Sequence, residues 1–553
     1  MSKDTRTVAE LIVSCLEAEG VEYMFGIPGE ENIRLVVATA GSKIRFILVR
    51  HEQAASFMAD IYGRLTGKAG VCTATLGPGA INLLLGVADA QTDSTPLVAI
   101  SAQVGLNRIY KESHQIVDLV SMFKPVTKWA DIMLTPAAVP EMVRKAFEVA
   151  QAERPGAAYL AIPEDVEAAP APVDAKPLTA RPRHSSGPDP VQVAAAVDLL
   201  RKARFPILLA GHGVARAGQS AALTRLAELL RIPVATTFMA KGVISDRAPN
   251  ALGVVGFMRH DYENFAFDMA DVILSIGYEL QEFAPIRVNP HKDKTVIHVH
   301  RFAEDTDAAY PIAVSIEADI GRSIEALIEA FSKDTLSANP VEARIRALRE
   351  AELAAGAADD SYPLNPQRVV SDIRKVLDDE DIVLADTGAI KMWMARLYPT
   401  YAPLTCLISN GLSTMAFALP GAIAAKLAKP GRRVLAAMGD GSFLMNSQEI
   451  ETAVREKIPL VVLVWVDGAY GLIKWKMDLE MGHHRFVDFG NPDFVKYAES
   501  FGAKGHMIKA AADLLPTLRK AFDDGGVSVI ACPVDYAENI KLTDKLGALT
   551  VPL

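Results

Sequence analysis

Short buried strands alternate with amphipathic helices along this chain. From Val8 to Glu19 the apolar residues recur at helical spacing, and short apolar runs after them predict strands. These runs are Tyr23–Phe25, Phe46–Val49, Val71–Thr75 and Leu97–Ile100. Alternation of this kind is typical of a parallel sheet flanked by helices. We therefore expect an α/β domain over residues 1–170.

The same pattern recurs twice more. The stretch from Ala168 to Pro190 is rich in Pro and Ala and predicts a linker, and a polar, Ala-rich break from Ala351 to Pro363 divides the rest. Between them the predicted strands are Ile207–Ala210, Pro233–Thr236, Val272–Ser275 and Val296–Val299. The expected fold is α/β, with three doubly wound parallel-sheet domains over residues 1–170, 190–345 and 364–553.

Composition agrees with a large globular protein. The chain has 553 residues, of which 50% are hydrophobic and 22% charged, and this length suits about three domains. The net charge is −10 and basic residues form no run, so we expect no nucleic-acid partner. No segment approaches the roughly 18 uninterrupted apolar residues of a membrane helix, and the N-terminus lacks an apolar signal core.

The cysteines indicate the compartment. Cys15, Cys72, Cys406 and Cys532 lie far apart, without the spacing of metal ligands and mostly in apolar runs. They are typical of buried thiols in a reducing environment. We expect a cytoplasmic protein.

Two acidic residues follow predicted strands in the last domain. The predicted elements are a strand at Arg433–Met438, a helix at Asn446–Glu456 and a strand at Leu460–Val466. Asp440 follows the first strand within Gly439-Asp440-Gly441-Ser442-Phe443, and Asp467 follows the second strand 27 positions later. The carboxyl ends of parallel strands and a helix N-terminus converge on one crevice that favours phosphate, and carboxylate oxygens suit Mg²⁺. The structural alternative is a pair of turn aspartates that cap a helix.

A glutamate opens a predicted helix in the first domain. Glu52 falls just beyond a buried strand, and the residues that follow it are small or apolar. Partial desolvation at such a position raises the proton affinity of a carboxylate. The alternative is a first-turn glutamate that only complements the helix dipole, and position alone leaves the two even.

A glycine turn in the middle domain is less specific. Gly211-His212-Gly213-Val214 follows a predicted strand and would suit a dinucleotide site. A tight strand-to-helix turn is the favoured interpretation.

The motifs at Asp440 and Asp467 resemble the metal and diphosphate motif of thiamine diphosphate enzymes. In that family the second motif usually ends in Asn-Asn, whereas Val466-Asp467 stands here. The resemblance implies pyrimidine-binding, central and diphosphate-binding domains, a Mg²⁺ ion, and the Ala469 carbonyl as a third protein ligand. It also implies that a further set of residues contacts the cofactor: Gly439, Gly441, Ser442, Tyr470 and Gly471.

The segment Arg50-His51-Glu52-Gln53-Ala54-Ala55 resembles the one that supplies the family's catalytic glutamate. By this resemblance Glu52 protonates or hydrogen-bonds the pyrimidine ring, so that the ring's exocyclic amine becomes an imine that takes the thiazolium C2 proton. Met415 matches the apolar wedge that bends the cofactor, although core packing is its structural alternative. Asp386, Gly388 and Gly411 match positions beside the aminopyrimidine and diphosphate.

Longer segments resemble the acetolactate synthases. They are Phe25–Asn32, which includes the cofactor-binding candidate Gly29, and Thr75–Asn82, Lys111–Gln115, Met122–Lys128 and Lys496–Ala503. The resemblance implies decarboxylation of pyruvate and condensation with a second 2-oxo acid to 2-acetolactate, in branched-chain amino acid or acetoin metabolism.

The same resemblance suggests further residues at the substrate. Gln115 would reach the cofactor or substrate, with a helix cap or surface amide as its alternative, and Phe123 would line the pocket, with core packing as its alternative. Lys476 would pair with the acceptor carboxylate; alternatively it is solvated and Trp475 fills the pocket. Glu449 and Glu451 are expected to serve interfaces or solvent.

Assembly and rival functions follow from the family. In relatives the first domain of one subunit meets the last domain of another, which implies a homodimer or homotetramer with the site between subunits. FAD is possible but not favoured. The alternatives are another thiamine diphosphate decarboxylase, oxidase or hydroxyacyl-CoA lyase, or a non-catalytic paralogue.

Overall fold

The computed structural model describes residues 6–181, 185–256, 261–331 and 341–542. It contains three six-stranded sheets in which all paired strands are parallel, and helices flank them. The three predicted α/β patterns and their fold class are confirmed. The first five residues of the predicted first domain, His184 in the predicted linker, and residues 543–553 lie outside the described residues.

The first sheet has the strand order β2-β1-β3-β4-β6-β5. Its strands are β1 (Tyr23–Gly26), β2 (Arg45–Leu48), β3 (Gly70–Ala74), β4 (Leu97–Gln103), β5 (Trp129–Ile132) and β6 (Ala157–Pro163). Its α-helices are α1 (Val8–Ala18), α2 (Ile33–Thr39), α3 (Glu52–Thr66), α4 (Pro78–Thr92), α5 (Leu119–Phe123), α6 (Val139–Gln151) and α7 (Glu164–Ala168). Two 3-10 helices span Lys124–Val126 and Pro136–Ala138.

The central sheet has the order β12-β11-β10-β7-β8-β9. Its strands are β7 (Pro206–Ala210), β8 (Val234–Thr236), β9 (Ala251–Val254), β10 (Val272–Ile276), β11 (Thr295–His300) and β12 (Ile312–Glu317). Its α-helices are α8 (Pro190–Lys202), α9 (His212–Arg216), α10 (Ser220–Leu230), α11 (Asn264–Met269), α12 (Ile320–Phe331) and α13 (Val341–Ala357). A 3-10 helix spans Pro285–Arg287.

The third sheet has the order β14-β13-β15-β16-β18-β17, the same relative order as the first. Its strands are β13 (Ile382–Ala385), β14 (Cys406–Ile408), β15 (Val434–Gly439), β16 (Leu460–Val466), β17 (Lys504–Met507) and β18 (Val527–Pro533). The α-helices are α14 (Pro366–Val376), α15 (Ala389–Leu397), α16 (Ala418–Ala428), α17 (Asp440–Asn446), α18 (Glu449–Arg455), α19 (Gly471–Met481), α20 (Phe494–Ser500) and α21 (Leu514–Asp523). Two 3-10 helices span Ala511–Asp513 and Ala537–Leu542.

One sequence expectation about local structure is wrong. The predicted break from Ala351 contains the last turns of α13, because an Ala-rich run without proline favours continuation of a helix. The predicted helix at Asn446–Glu456 is confirmed as α18, which begins later, at Glu449, because α17 extends to Asn446. Asn446 ends α17 and donates from its side-chain amide to the Ala416 carbonyl (3.1 Å).

The described chain forms two compact units. The first contains residues up to 183 together with 412–431 and 446–459, so α16 and α18 belong with the first sheet. Every residue from Ala54 to Leu65 of α3 is buried, and α16 packs on this helix through an edge-to-face contact of Phe57 with Phe417 (6.0 Å between ring centroids). The second unit contains the central and third sheets.

None of the helices in the described ranges has the length and apolar character of a membrane-spanning segment.

Candidate active site

Asp440 lies beside the point at which the strand order of the third sheet reverses, between β13 and β15. β15 ends at Gly439, and Asp440 is the first residue of α17 and is buried. One carboxylate oxygen accepts the Gly441 N–H (2.8 Å), and the other accepts the N–H groups of Gly468 (2.8 Å) and Asp467 (3.2 Å). Because all these donors are neutral, Asp440 is held rigidly without its charge being balanced.

Asp467 is the second acid of the predicted pair and follows β16 directly. Burial and the nearby charge of Asp440 raise the pKa of Asp467 to about 7, while a hydrogen bond from the Ala469 N–H opposes that shift. A Cβ on Gly471 would lie 2.4 Å from one Asp467 oxygen, so the start of α19 approaches this carboxylate closely. Asp440 and Asp467 thus lie together at the carboxyl ends of β15 and β16, and their role as metal ligands stays a prediction.

The segment after Asp467 contains a backbone carbonyl, that of Ala469, which the bridge to the Asp488 segment does not use. Ala469 bridges Asp488, and the flanking hydrogen bonds run from the Phe489 N–H to the Gly468 carbonyl and from the Tyr470 N–H to the Val487 carbonyl (2.9 Å each). Neither bond uses the carbonyl of Ala469. That oxygen therefore keeps its capacity to accept a ligand.

Asn491 is a site residue that the sequence analysis missed. Its side-chain amide donates to Asp440 (2.7 Å), and its amide oxygen is buried without a hydrogen-bond partner among the described residues. It lies 51 positions after Asp440, and no motif spacing links the two.

The oxygen atoms at Asp440 and its neighbours would suit a hard divalent cation as ligands. Two carboxylates, one spare carbonyl and an unsatisfied buried amide oxygen form an all-oxygen set with excess negative charge, which is what Mg²⁺ prefers. No group of three His, Cys, Asp or Glu side chains with metal-binding geometry occurs within the described ranges. The set therefore suits an ion that completes its shell with other oxygens, such as those of a diphosphate.

A second loop reaches the same sheet edge from β13. β13 pairs with β15, and the Asp386 N–H donates to the Ala437 carbonyl (2.9 Å). The buried Thr387 hydroxyl finds no partner in the part of the chain that the structure describes. Gly388, with φ of 134°, turns the chain into α15, and the space around its α-carbon is open. The loop thus combines a helix N-terminus with room for an anion.

An open cleft of about 440 Å³ lies between α17 and the segment around Phe489. Its lining includes Gly441, Met445, Tyr470, Phe486 and Phe489. The rings of Tyr470 and Phe489 meet edge-on (5.1 Å between centroids), and a Cβ on Gly441 would lie 2.9 Å from the Tyr470 ring. Gly441 is thus needed for the aromatic wall to approach the metal loop.

Glu52 lies in the other unit and opens α3. Its carboxylate accepts a hydrogen bond from the Asn82 side chain (2.9 Å), and a Cβ on Gly79 would lie 3.2 Å from its other oxygen. The His51 ring caps α3 by accepting the Gln53 N–H (3.1 Å). Glu52 is therefore half-buried at a fixed helix start, which suits a group that exchanges a proton.

Three domain models of one enzyme family match this chain. Residues 6–122 match the thiamine pyrophosphate enzyme N-terminal TPP binding domain, residues 193–327 match the central domain of that family, and residues 386–532 match its C-terminal TPP binding domain. This chain belongs to the thiamine pyrophosphate enzymes.

Curated relatives of this thiamine pyrophosphate enzyme are acetolactate synthases. The acetolactate synthase of Bacillus subtilis (strain 168) is 35% identical over 97% of this chain and 95% of its own length. The catabolic acetolactate synthase of Raoultella terrigena is 35% identical over 97% of both chains. The isozyme 1 large subunit of Escherichia coli (strain K12) is 31% identical over 97% of this chain and 95% of its own. The similarity is therefore collinear over nearly the whole chain.

Glu449 of this thiamine pyrophosphate enzyme was expected to serve an interface or solvent, and the structure excludes solvent. It is fully buried, and its carboxylate accepts the N–H groups of Arg50 (2.9 Å) and His51 (3.1 Å). Burial raises the pKa of Glu449 to about 7. The side chain lies inside the first unit because α18 packs there instead of ending at the surface.

Two predicted substrate contacts occupy contrasting environments. Phe123 is fully buried and stacks on Tyr159 (3.7 Å between ring centroids), which favours the core-packing alternative. Gln115 is exposed with φ of 58°, and a Cβ on Gly77 would lie 2.8 Å from its carbonyl oxygen. Its loop is therefore held close to the turn before α4, and the role of its side chain stays a prediction.

The residues of α19 are all at least partly exposed. Lys476 points to solvent, whereas Trp475 packs against the core of the third sheet. Lys474, two positions earlier, pairs with Asp488 of the cleft wall (2.8 Å). This arrangement favours the alternative in which Lys476 is solvated, and its role toward the acceptor stays a prediction.

Three other candidates lie in close-packed or irregular loops. A Cβ on Gly29 would lie 2.4 Å from Thr75, so the loops after β1 and β3 meet only because this residue is glycine. Met415 is half-buried between Thr414 and Ala416, and the φ of Ala416 is 70°. Gly411 is exposed at the start of the same irregular segment. Ser442 is buried in α17, near Asp440.

The glycine turn of the central domain is a tight strand-to-helix turn. Gly211 precedes α9, and a Cβ there would lie 2.2 Å from the Tyr278 backbone. A Cβ on Gly213 would lie 2.7 Å from the His300 ring. Close packing against neighbouring strand ends therefore accounts for both glycines.

Proposed function

We propose that this chain is an acetolactate synthase that decarboxylates pyruvate and joins the two-carbon unit to a second 2-oxo acid to give 2-acetolactate. The observation that carries the proposal is the Asp440–Asp467 pair with the buried amide oxygen of Asn491, in a chain collinear with acetolactate synthases. An all-oxygen, uncompensated site of this kind suits a metal-bound diphosphate.

The cofactor residues follow from this geometry. Asp440, Asp467 and the Ala469 carbonyl would hold Mg²⁺, and the Asp386–Gly388 loop would contact the bound cofactor. Gly439, Gly441 and Ser442 provide close approach at the start of α17. When bound, thiamine diphosphate supplies an ionisable carbon acid and an electron sink for decarboxylation.

The proton chemistry belongs to Glu52. Its carboxyl group would hold a proton at the pyrimidine ring nitrogen, and Asn82 orients the carboxyl through its hydrogen bond (2.9 Å). Gly29 and Met415 would contact the cofactor, and Gln115, Phe123 and Lys476 would bind or surround the substrates. The rings of Tyr470 and Phe489 form one apolar side of the cleft.

Assembly and cofactor requirement extend the proposal. We infer a cytoplasmic homodimer or homotetramer in which the first domain of one subunit completes the site of another. The enzyme would work without FAD. Its place would be branched-chain amino acid or acetoin metabolism.

Product analysis tests the function. Purified protein is incubated with pyruvate, thiamine diphosphate and Mg²⁺, with and without 2-oxobutyrate and FAD, and the products are separated. We expect 2-acetolactate, with no gain from FAD. Acetaldehyde, peroxide or an acyl-CoA cleavage activity in place of acetolactate would identify one of the rival thiamine diphosphate enzymes, and no turnover would identify a non-catalytic paralogue.

Replacement of the proposed acid gives a sharper test. Glu52→Gln should retain thiamine diphosphate but lose at least about a hundredfold in turnover, the scale of a lost general acid or base. The measurements are cofactor affinity by calorimetry and kcat with pyruvate. The control is Glu148→Gln on α6, an exposed glutamate of the same domain. Unchanged turnover in the Glu52 variant would remove Glu52 from this role.

A further inference from the structure

Helix α18 belongs by sequence to the metal-motif region but contacts the turn that precedes Glu52. Glu449, its first residue, is fully buried. One of its carboxylate oxygens accepts two backbone N–H groups, from Arg50 (2.9 Å) and His51 (3.1 Å), and the other accepts the Thr452 hydroxyl (2.6 Å). All these groups lie within the first unit.

The two N–H groups that Glu449 accepts belong to the turn directly before the acid. β2 ends at Leu48 and α3 begins at Glu52, so Arg50 and His51 form the last part of the turn that presents Glu52. The His51 ring also fixes the turn, because it caps α3 by accepting the Gln53 N–H. A shift of the turn would therefore move the Glu52 carboxylate directly.

The rest of α18 fixes the same strand end. Arg455 donates to the Leu48 carbonyl, and Glu456, just past the helix, pairs with Arg45 of β2 (2.5 Å). Glu451 of the same helix instead faces outward, is about one-third exposed and pairs with Arg455 (3.0 Å). Glu449 thus binds the turn before Glu52, whereas Glu451 pairs with Arg455 at the surface.

We propose that Glu449 is a positioning residue that holds the β2–α3 turn so that Glu52 meets the cofactor in working geometry. The proposal rests on the proposed function of Glu52. Two hydrogen bonds from adjacent N–H groups to one carboxyl oxygen fix both the height and the direction of the turn. A displacement of about 1 Å at a reacting group costs on the order of a hundredfold in rate, so an indirect contact of this kind has a measurable effect.

The first experiment measures turn order in the protein without cofactor. Hydrogen exchange of the peptide spanning residues 45–57 is followed by mass spectrometry in wild type, Glu449→Ala, Glu449→Gln and Glu451→Gln. We expect faster exchange in the Ala variant alone. The Gln variant keeps one oxygen that accepts both N–H groups, and Glu451→Gln changes only the outer glutamate. Equal exchange in wild type and the Ala variant would overturn the proposal.

The second experiment measures chemistry at the bound cofactor. The variants are loaded with thiamine diphosphate and Mg²⁺ in D2O, and C2–H exchange of the bound cofactor is followed by quenching and NMR. In Glu449→Ala we expect cofactor affinity within about threefold of wild type and exchange slower by at least about tenfold, with kcat reduced in parallel. Glu449→Gln should recover both rates to within about threefold, because the accepting oxygen is retained.

The outcomes separate this inference from the function on which it rests. Slower C2–H exchange in Glu52→Gln but not in Glu449→Ala would sink the positioning role alone, whereas normal exchange in Glu52→Gln would sink the proposed role of Glu52. A merely stabilising Glu449 would lower the thermal midpoint of Glu449→Ala and leave exchange per bound cofactor unchanged, which also counts against the proposal. If the Ala variant does not fold, Glu449→Asp carries the test, since its shorter side chain withdraws the acceptor and should slow exchange.

Discussion

Buried carboxylates lie at strand ends in both the central and the third sheet, but their charge is handled differently. In the central crevice Glu282 accepts the N–H groups of His212 (3.1 Å) and Glu279 (3.0 Å) and the Thr237 hydroxyl, and Glu279 pairs with Arg216 (2.8 Å). In the third crevice the donors to Asp440 are neutral N–H groups, and Asp467 lies beside it.

A strand-end carboxylate is therefore not by itself a cofactor ligand. The central sheet supplies a guanidinium from its own helix α9, so the crevice is already charge-balanced in part. The third sheet leaves two carboxylates and a spare amide oxygen, which an external cation would satisfy. The carboxylate pair without an internal cation is the one at which we propose cofactor binding.

Removal of the Asp440 carboxylate should have the largest effect. Asp440→Ala removes the proposed metal ligand and the acceptor for four N–H donors, so we expect metal-dependent cofactor binding and activity to fall by more than about a hundredfold, beyond the loss typical of outer-shell partners. Mn²⁺ binding followed by EPR and kcat/KM with pyruvate measure it. Asp513→Ala, an exposed aspartate of the same domain, is the control. Retention of Mn²⁺ binding would refute the assignment.

The central crevice should respond in stability. Arg216→Met leaves Glu279 without its guanidinium partner, and loss of one member of a buried pair costs about 3 kcal/mol. Urea denaturation measures the free energy of unfolding. The metal affinity of the folded variant should equal that of wild type, and a loss of Mn²⁺ binding as large as that of Asp440→Ala would break the distinction between the two crevices.

The pH dependence of stability should report Glu282. Burial, with the nearby charge of Glu279, raises the pKa of Glu282 in the folded protein to about 8. A raised pKa in the folded state means that the neutral carboxyl stabilises the fold fully below about pH 4.5, and that this contribution is lost as pH rises to 8. Glu282→Gln, which resembles the neutral acid in shape, should therefore lose less stability than wild type between pH 5 and 8.

Urea midpoints at four pH values across that window test this expectation. Glu325→Gln, at an exposed glutamate paired with Arg225, serves as the control and should follow wild type. Parallel curves for wild type and Glu282→Gln would show that Glu282 does not titrate between those pH values.

The smallest change is expected at Asp467. Asp467→Asn keeps an oxygen ligand and removes the repulsion between two acids, so Mn²⁺ affinity should change by less than about tenfold. Calorimetry of metal and cofactor binding measures it, with Asp440→Ala as the contrasting variant. A loss equal to that of Asp440→Ala would mean that the second charge, and not the oxygen, is what the metal needs.

Local pattern determined much of the fold. Several strands in each of the three sheets and the placement of Asp440 and Asp467 at strand ends follow from apolar runs and turn residues, which act over a few neighbouring positions. The start of α3 at Glu52 follows in the same way, since the strand before it and the helix after it are both local patterns.

Only the tertiary structure decided which distant groups meet. Asn491 donates to Asp440, which lies 51 positions away in the sequence. Glu449 binds the turn before Glu52, where Arg50 lies 399 positions away. The burial of Phe123 and the exposure of Lys476 likewise depend on which helix faces which sheet. The spacing of apolar residues shows which side of a helix or strand is buried. Which distant segment packs against that side depends on the tertiary structure, because local spacing carries no information about remote residues.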